Sequence, residues 1–189
     1  MTVSFDTYRV TGMYRFAVLT NVASVVTETA IPFSNGATFK NDVKTISYEG
    51  DGQKAKKYLL EQVDVEVKAD EIGAAALQSI YAKTAVTASL PADATVRLYF
   101  GDNGDSSGIN CGVAAYVTAE KLSSGANVKL RIVAPRGTLG SPEAPDFKSR
   151  DKAGLNLKFA ANKATTDIAG AALPGVPTDG CFWYMEELL

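Results

Sequence analysis

The sequence predicts a mainly β fold of the α+β class, an antiparallel β-sandwich or barrel with one packed α-helix. Apolar and polar residues alternate with a period of two in several short stretches, most clearly in 63–68 and 128–133, as in strands with one buried face. Turn-forming Gly, Pro, Asn and Asp separate these stretches. One segment alone, 70–83, has a convincing helical period. Many short strands and one helix favour a sheet that closes on itself.

The first third of the chain predicts four strands and one long loop. The strand-like stretches are 13–19, 22–29, 45–49 and 59–68. Between the second and the third, residues 30–42 contain Pro32, Asn35 and Gly36, which predict a loop. Loops of this length are uncommon in compact domains unless they have a function.

The remainder predicts the helix and further short strands within a single domain, residues 1–189. Asp70 stands at the expected N-cap of the helix, and Ile72, Ala76 and Ile80 recur at i, i+4 and i+8. A second loop, rich in proline, is expected at about 134–150. The further strand-like stretches are 86–90, 95–100, 111–119, 128–133, 155–159 and 182–185.

The charge balance and the absence of histidine exclude several function classes. The chain has 19 basic and 21 acidic residues, and hence a formal charge of −2. Tight nucleic-acid binders usually carry a basic surplus, because phosphate neutralisation supplies most of their affinity. Without histidine, Ser-His-Asp and Cys-His nucleophiles, histidine zinc sites and histidine pH switches are all excluded.

Cysteine usage and hydropathy predict a protein made in the cytoplasm, without membrane insertion. Cys111 and Cys181 are 70 positions apart, and we interpret each as a small buried hydrophobe, with a disulfide as the alternative. The residues after Met1 lack the pattern of a signal peptide. No apolar run approaches the ~20 residues of a membrane span.

Candidate chemical sites are few, and each has a simpler interpretation. Asp64 and Glu66 share one strand face, as paired carboxylates do in glycosidases, but alternation with valines is typical of a solvated face. Asp102, Asn103 and Asp105 suggest calcium ligands, but they lack the order of an EF-hand and favour a hairpin turn. We therefore predict no catalytic, cofactor or metal site, and a protein that is not an enzyme.

Several apolar residues in the two loops are candidates for a subunit interface. Phe33 and Phe39 stand among polar neighbours; they either pack back onto the domain or dock onto a second copy, since clustered exposed apolar groups mark interfaces. The full set of interface candidates is Ile31, Pro32, Phe33, Phe39 and Phe147.

The order of these segments resembles the tail tube (major tail) protein family of long-tailed bacteriophages. The resemblance covers most of the chain and lies in the order of elements rather than in one motif. In the first half it is carried by the opening Met13–Phe16 strand, the Ile31–Gly36 loop, the Ile46–Gly52 hairpin, Val63–Lys68 and the 70–83 helix. In the second half it is carried by Cys111–Val117, Val128–Val133 and Asp179–Tyr184.

The resemblance implies a structural virion protein, made in the host cytoplasm and located in the tail. Six copies would form a ring, and stacked rings would form a tube through which DNA passes during ejection without specific binding. The long early loop would reach adjacent subunits. Asp64 and Glu66 are the candidates for residues that face the lumen. The implied partners are other copies of the chain, a tape measure protein, and tail-terminator and baseplate proteins.

Three alternatives remain open from the sequence. A tube protein of a contractile tail or of a secretion-system-like machine would share the same fold. A sugar-binding or adhesin β-sandwich would expose an aromatic platform, with Trp183 and Tyr184 as its candidates. A hydrolase that uses carboxylates alone would need Asp64 and Glu66, or Asp102 and Asp105, in a cleft.

Overall fold

The computed structural model describes residues 7–22, 25–31, 34–50, 53–69, 74–81, 92, 109–140 and 155–189. All the strand pairs are antiparallel, so the predicted mainly β fold is confirmed. Asp70 and the predicted strands at 86–90 and 95–100 lie outside the described residues. The elements are β1 (Tyr8–Val22), β2 (Val25–Ile31), β3 (Ser34–Gly50), β4 (Gln53–Ala69), α1 (Ala74–Ile80), β5 (Ile109–Lys121), β6 (Asn127–Leu139), β7 (Leu155–Ala161) and β8 (Tyr184–Leu188).

The strands form one strongly curled sheet. Its order is β2-β1-β5-β6-β7-β4-β3, and β8 pairs with β6 beside this path. Although β2 and β3 stand at opposite ends of that order, they follow each other in the chain. Ile31 and Ser34 are three positions apart, which limits their Cα separation to about 11 Å. The sheet must therefore curl until its two ends meet at this point.

Strand β6 is where the sheet branches. Its first part pairs with β8 over Lys129–Val133, and its last part pairs with β7 over Gly137–Leu139. A bulge between these parts opposes Gly112 of β5. A Cβ on Gly137 would lie 2.2 Å from the carbonyl oxygen of Ala160, so only glycine permits this close approach of β6 and β7.

The main core lies on the concave face of the sheet. Val63, Val65 and Val67 of β4 point into it, which confirms the alternation in the sequence. Leu77, Ile80 and the adjoining Tyr81 attach α1 to the same core. A smaller cluster lies on the opposite face of β1, β5 and β6 and consists of Ala17, Leu19, Ala114, Tyr116 and Val133.

Two buried groups near α1 titrate well above their usual range. The phenol of Tyr81 donates a hydrogen bond of 2.8 Å to the carbonyl of Gly140, and burial, then the Cys111 charge, raises the pKa of Tyr81. Burial also raises the pKa of the Cys111 thiol to about 12. Cys111 and Cys181 are both free thiols, and Cys111 is the buried hydrophobe that the sequence predicts.

The predicted loop at residues 30–42 is wrong. Strand β2 continues to Ile31 and β3 begins at Ser34, so most of the segment is extended and hydrogen-bonded to β4. The second predicted loop, at 134–150, is wrong in its first part because β6 continues to Leu139. Residues 141–150 lie outside the described residues. In both segments strand pairing overrides the local turn signals.

Candidate assembly surface

The β3–β4 hairpin extends beyond the rest of the sheet. Strand β4 pairs with β7 only over Val63–Ala69, whereas its pairing with β3 continues to Gln53 opposite Gly50. A bulge at Glu61 shifts the register between Asp42 and Val43. We call residues 43–60 the arm. Within the described part of the chain, the two strands of the arm pair only with each other.

The arm exposes an apolar side chain near its base that its own chain does not cover. Val43 is 46% exposed, and Leu59 is only half-buried, whereas Leu60, opposite Val43, packs against the main core. The side chains of Lys44 and Lys56 are exposed. Because a two-stranded ribbon is only marginally stable in water, this arm is a segment that a further surface can stabilise.

The arm and the rest of the chain carry opposite net charges. Residues 43–60 contain four lysines and two acids, which gives +2, and the remainder has 19 − 4 = 15 basic and 21 − 2 = 19 acidic residues, which gives −4. Contacts between the arm of one copy and the body of another are therefore favoured over arm–arm contacts.

A patch of large apolar side chains lies at the rim of the main core. The rings of Phe39 and Trp183 are 6.4 Å apart, and Met185 stands directly opposite Ile132 in the β6–β8 pair. Phe39, Ile132 and Met13 pack against the core from its rim, whereas Trp183 is 40% and Met185 46% exposed. We call these five residues the Trp183 patch.

Three strands have one unpaired edge within the described residues. There β2 pairs only with β1, β3 only with β4, and β8 only with β6. Unpaired backbone N–H and C=O groups along such an edge are templates for a strand from another chain. The edge of β8 lies beside the Trp183 patch.

Asp64 and Glu66 lie together on the convex, polar face, as their spacing predicts. They line a groove of about 340 Å³ with Thr138, Lys158 and neighbouring residues. Gln62 donates a hydrogen bond of 2.6 Å to Asp64, and Lys40 forms an ion pair of 2.7 Å with Glu66. The two carboxylates thus have the partners expected on a solvated face.

Cations outnumber acids on this polar face of β3, β4, β6 and β7. Against three acids, Asp42, Asp64 and Glu66, the alternation of the four strands places four basic residues on the same side. They are Lys40, Lys68, Arg136 and Lys158.

The predicted interface residues have different positions. Ile31 is only 5% exposed and belongs to the main core, so it is not on the surface of the single chain. Phe39 is half-buried and belongs to the Trp183 patch. Pro32, Phe33 and Phe147 lie outside the described residues. An interface role for any of the five stays a prediction.

The aromatic platform of a sugar-binding module is absent at Trp183 and Tyr184. Tyr184 packs against the smaller core, whereas Trp183 precedes β8 and contacts Phe39, which packs against the main core. The sequence-based interpretation paired the wrong residues. Phe39 is the aromatic neighbour of Trp183, and their separation in the sequence hides the contact.

A polar network crosses the outside of β1, β2, β5, β6 and β8. The phenol of Tyr116 donates a hydrogen bond of 2.8 Å to Glu28, which also pairs with Arg15 at 2.7 Å. Arg131 pairs with Glu186 of β8. Burial raises the pKa of Tyr116, so this phenol stays a hydrogen-bond donor at neutral pH.

Among the described residues, no three His, Cys, Asp or Glu side chains are grouped so that they could hold a metal ion. The described part of the chain has no helix that is long and apolar enough to span a membrane.

Comparison with known proteins gives a weak structural likeness. No protein-family model and no curated protein matches the chain. One similar solved structure is the sheath–tube complex of an extracellular contractile injection system, PVC, in its extended state. The TM-score is 0.47 at 12% sequence identity, over 93% of this chain and 90% of that chain. Values this low carry no conclusion about function.

Proposed function

We propose that this chain is a structural subunit that assembles with copies of itself into a tube. The observation that carries the proposal is the arm, a two-stranded ribbon that exposes the apolar side chain of Val43 and pairs with no other described strand. A ribbon of this kind gains stability when another chain covers it or adds a strand to its edge. Such a subunit acts by assembly and not as an enzyme.

The resemblance in the order of elements extends the proposal to a phage tail tube. In that arrangement six copies form a ring and stacked rings form the conduit for DNA ejection, located in the tail of the virion. Tape measure, tail-terminator and baseplate proteins are the further partners. A tube of a contractile or secretion-system-like machine is the alternative within the same class.

The polar face with Asp64 and Glu66 is the candidate for the lumen wall. If it has this role, the wall is not acidic at this point, because Lys40, Lys68 and two further cations outnumber the three carboxylates of Asp42, Asp64 and Glu66. Partial pairing, as between Lys40 and Glu66, leaves a weakly positive, solvated surface. Contacts of this face with passing DNA are therefore electrostatic and independent of sequence.

Negative-stain electron microscopy of the purified protein tests the assembly. We expect rings and tubes with a central hole. A matched control replaces residues 44–59 with an Asn-Gly turn between Val43 and Leu60, which already face each other. This variant should fold, as circular dichroism would show, and should remain monomeric. A wild-type chain that stays monomeric at all concentrations contradicts the proposal.

A further inference from the structure

We propose that the Trp183 patch is the surface that receives the arm of a second copy. The inference rests on the proposed assembly and adds the receiving surface to it. The patch combines Trp183, Met185 and Phe39, types that are enriched in the centres of protein interfaces. Phe39 contacts Trp183 and Met185 stands opposite Ile132, and Phe39, Ile132 and Met13 all pack against the main core.

The chain's own arm leaves the patch open. In the single chain Trp183 is 40% and Met185 46% exposed, although Phe39, which contacts Trp183, belongs to the same strand as the arm. An arm from a second copy can therefore reach side chains that the resident arm does not cover. Since Trp and Met lose much apolar area on burial, covering them is strongly favourable.

Charge and edge geometry identify the arm as the occupant. The arm carries +2 and the remainder of the chain −4, so an arm is attracted to the body of another copy. The unpaired edge of β8 (Tyr184–Leu188), beside the patch, can accept a strand of the incoming ribbon. Because the donor and acceptor surfaces differ, the contact is heterologous and propagates into a ring or a filament.

Tryptophan fluorescence tests the inference directly, since Trp183 is the only tryptophan of the chain. Emission maximum and acrylamide quenching are measured on monomer and on assembled protein, with sedimentation to separate the two. We expect a blue shift and weaker quenching on assembly, because the indole leaves water. Assembled protein with unchanged emission overturns the inference and leaves the proposed function standing.

A pair of variants separates the patch from general surface polarity. Met185→Ser should raise the critical concentration for assembly by about tenfold, since it removes one large apolar contact per interface. Leu122→Ser is the control, because Leu122 is 50% exposed in the β5–β6 turn, away from the patch. Equal critical concentrations for the two variants contradict the inference.

Cross-linking identifies the occupant. One variant carries Met185→Cys and the other carries Ser47→Cys; Ser47 is exposed on the arm. Each also carries Cys181→Ser. The two variants are mixed, assembled and oxidised. We expect disulfide-linked heterodimers of the two variants. Patch-to-patch dimers of the Met185→Cys chain alone, or the absence of cross-links in assembled protein, overturn the arm as occupant. Failure of the wild-type chain to assemble at all overturns the proposed function as well.

Discussion

The two halves of the sheet use β-structure for different purposes. In β1, β5 and β6 the strands are covered on both faces, by the main core on one side and the smaller core on the other. In the arm both strands have exposed residues and no third strand beside them among the described residues. The first region holds the fold in place by packing, whereas the second leaves the apolar side chain of Val43 for a partner. Substitutions should therefore affect stability in the first region and assembly in the second.

The largest difference in unfolding free energy is expected between two variants that each add one methyl group to a glycine. Gly137→Ala places a Cβ 2.2 Å from the Ala160 carbonyl oxygen and 2.4 Å from the ring of Phe159, which should destabilise the chain by about 3 kcal/mol or more. Gly36→Ala, in β3, meets nothing within 4 Å. It should leave the free energy of unfolding within about 1 kcal/mol of wild type and, if anything, raise it. Urea denaturation measures both values, and equal effects would show that β6 and β7 can separate without cost.

A matched deletion of two methyl groups tests burial directly. Val113→Ala removes them from a fully buried site and should cost about 2 kcal/mol. Val43→Ala makes the same change in the arm, at a position that is 46% exposed, and should cost no more than about 0.5 kcal/mol. A large loss of unfolding free energy for Val43→Ala would mean that the arm already has a covered core within one chain.

The sequence predicts the strands that contact a core better than it predicts the arm. Alternation at Val63–Lys68 and Val128–Val133 identifies strands because one face of each contacts a core. In β3 the turn-forming residues Asn35 and Gly36 predict a loop where the structure has a strand. This strand pairs with β4 along one edge, and its other edge has no partner among the described residues. Local sequence signals indicate a loop in this segment, and only the long-range pairing with β4 makes it a strand.

The candidate site was predicted only in part. Phe39 was a candidate and Trp183 a member of an alternative, but their contact depends on the curl that brings β3 near the start of β8. Met13 and Met185 give no sequence signal beyond being apolar. Ile31 was an interface candidate as part of the long loop that the resemblance implies, yet it lies at the end of β2 and is buried in the core.

Alkaline pH should lower the free energy of unfolding through two buried groups of the main core, and not through the arm. The pKa of Cys111 is about 12 in the folded chain against 9.0 for a free thiol, and the pKa of Tyr81 is also raised. Each group favours the folded state fully below its unfolded pKa, and this contribution is lost as pH rises, from about 9 to 12 for Cys111 and from about 10 upward for Tyr81. Urea midpoints measured across this range should fall, and Cys111→Ala should flatten that fall.

Thiol labelling gives an independent measure of how deeply Cys111 is buried compared with Cys181. At pH 8 the buried Cys111 should react with a thiol reagent far more slowly than the half-buried Cys181, because the thiolate is the reactive form. Fast labelling of both thiols in native protein would place Cys111 in a region that opens readily.

The smallest expected effect comes from two ion pairs, one in each region. Lys44 and Glu61, at the base of the arm, are 3.4 Å apart with side chains 60% and 50% exposed, so a double-mutant cycle to alanine should give a coupling of at most about 0.5 kcal/mol. Arg131 and Glu186 are less exposed and join the network of Tyr116, which should raise their coupling to about 1 kcal/mol. The order of the two values matters more than their size, since both pairs join oppositely charged residues of neighbouring strands. A stronger coupling at Lys44–Glu61 would show that electrostatics hold the arm rigid within one chain. If the coupling at Arg131–Glu186 is the stronger, the arm depends on its partner for rigidity.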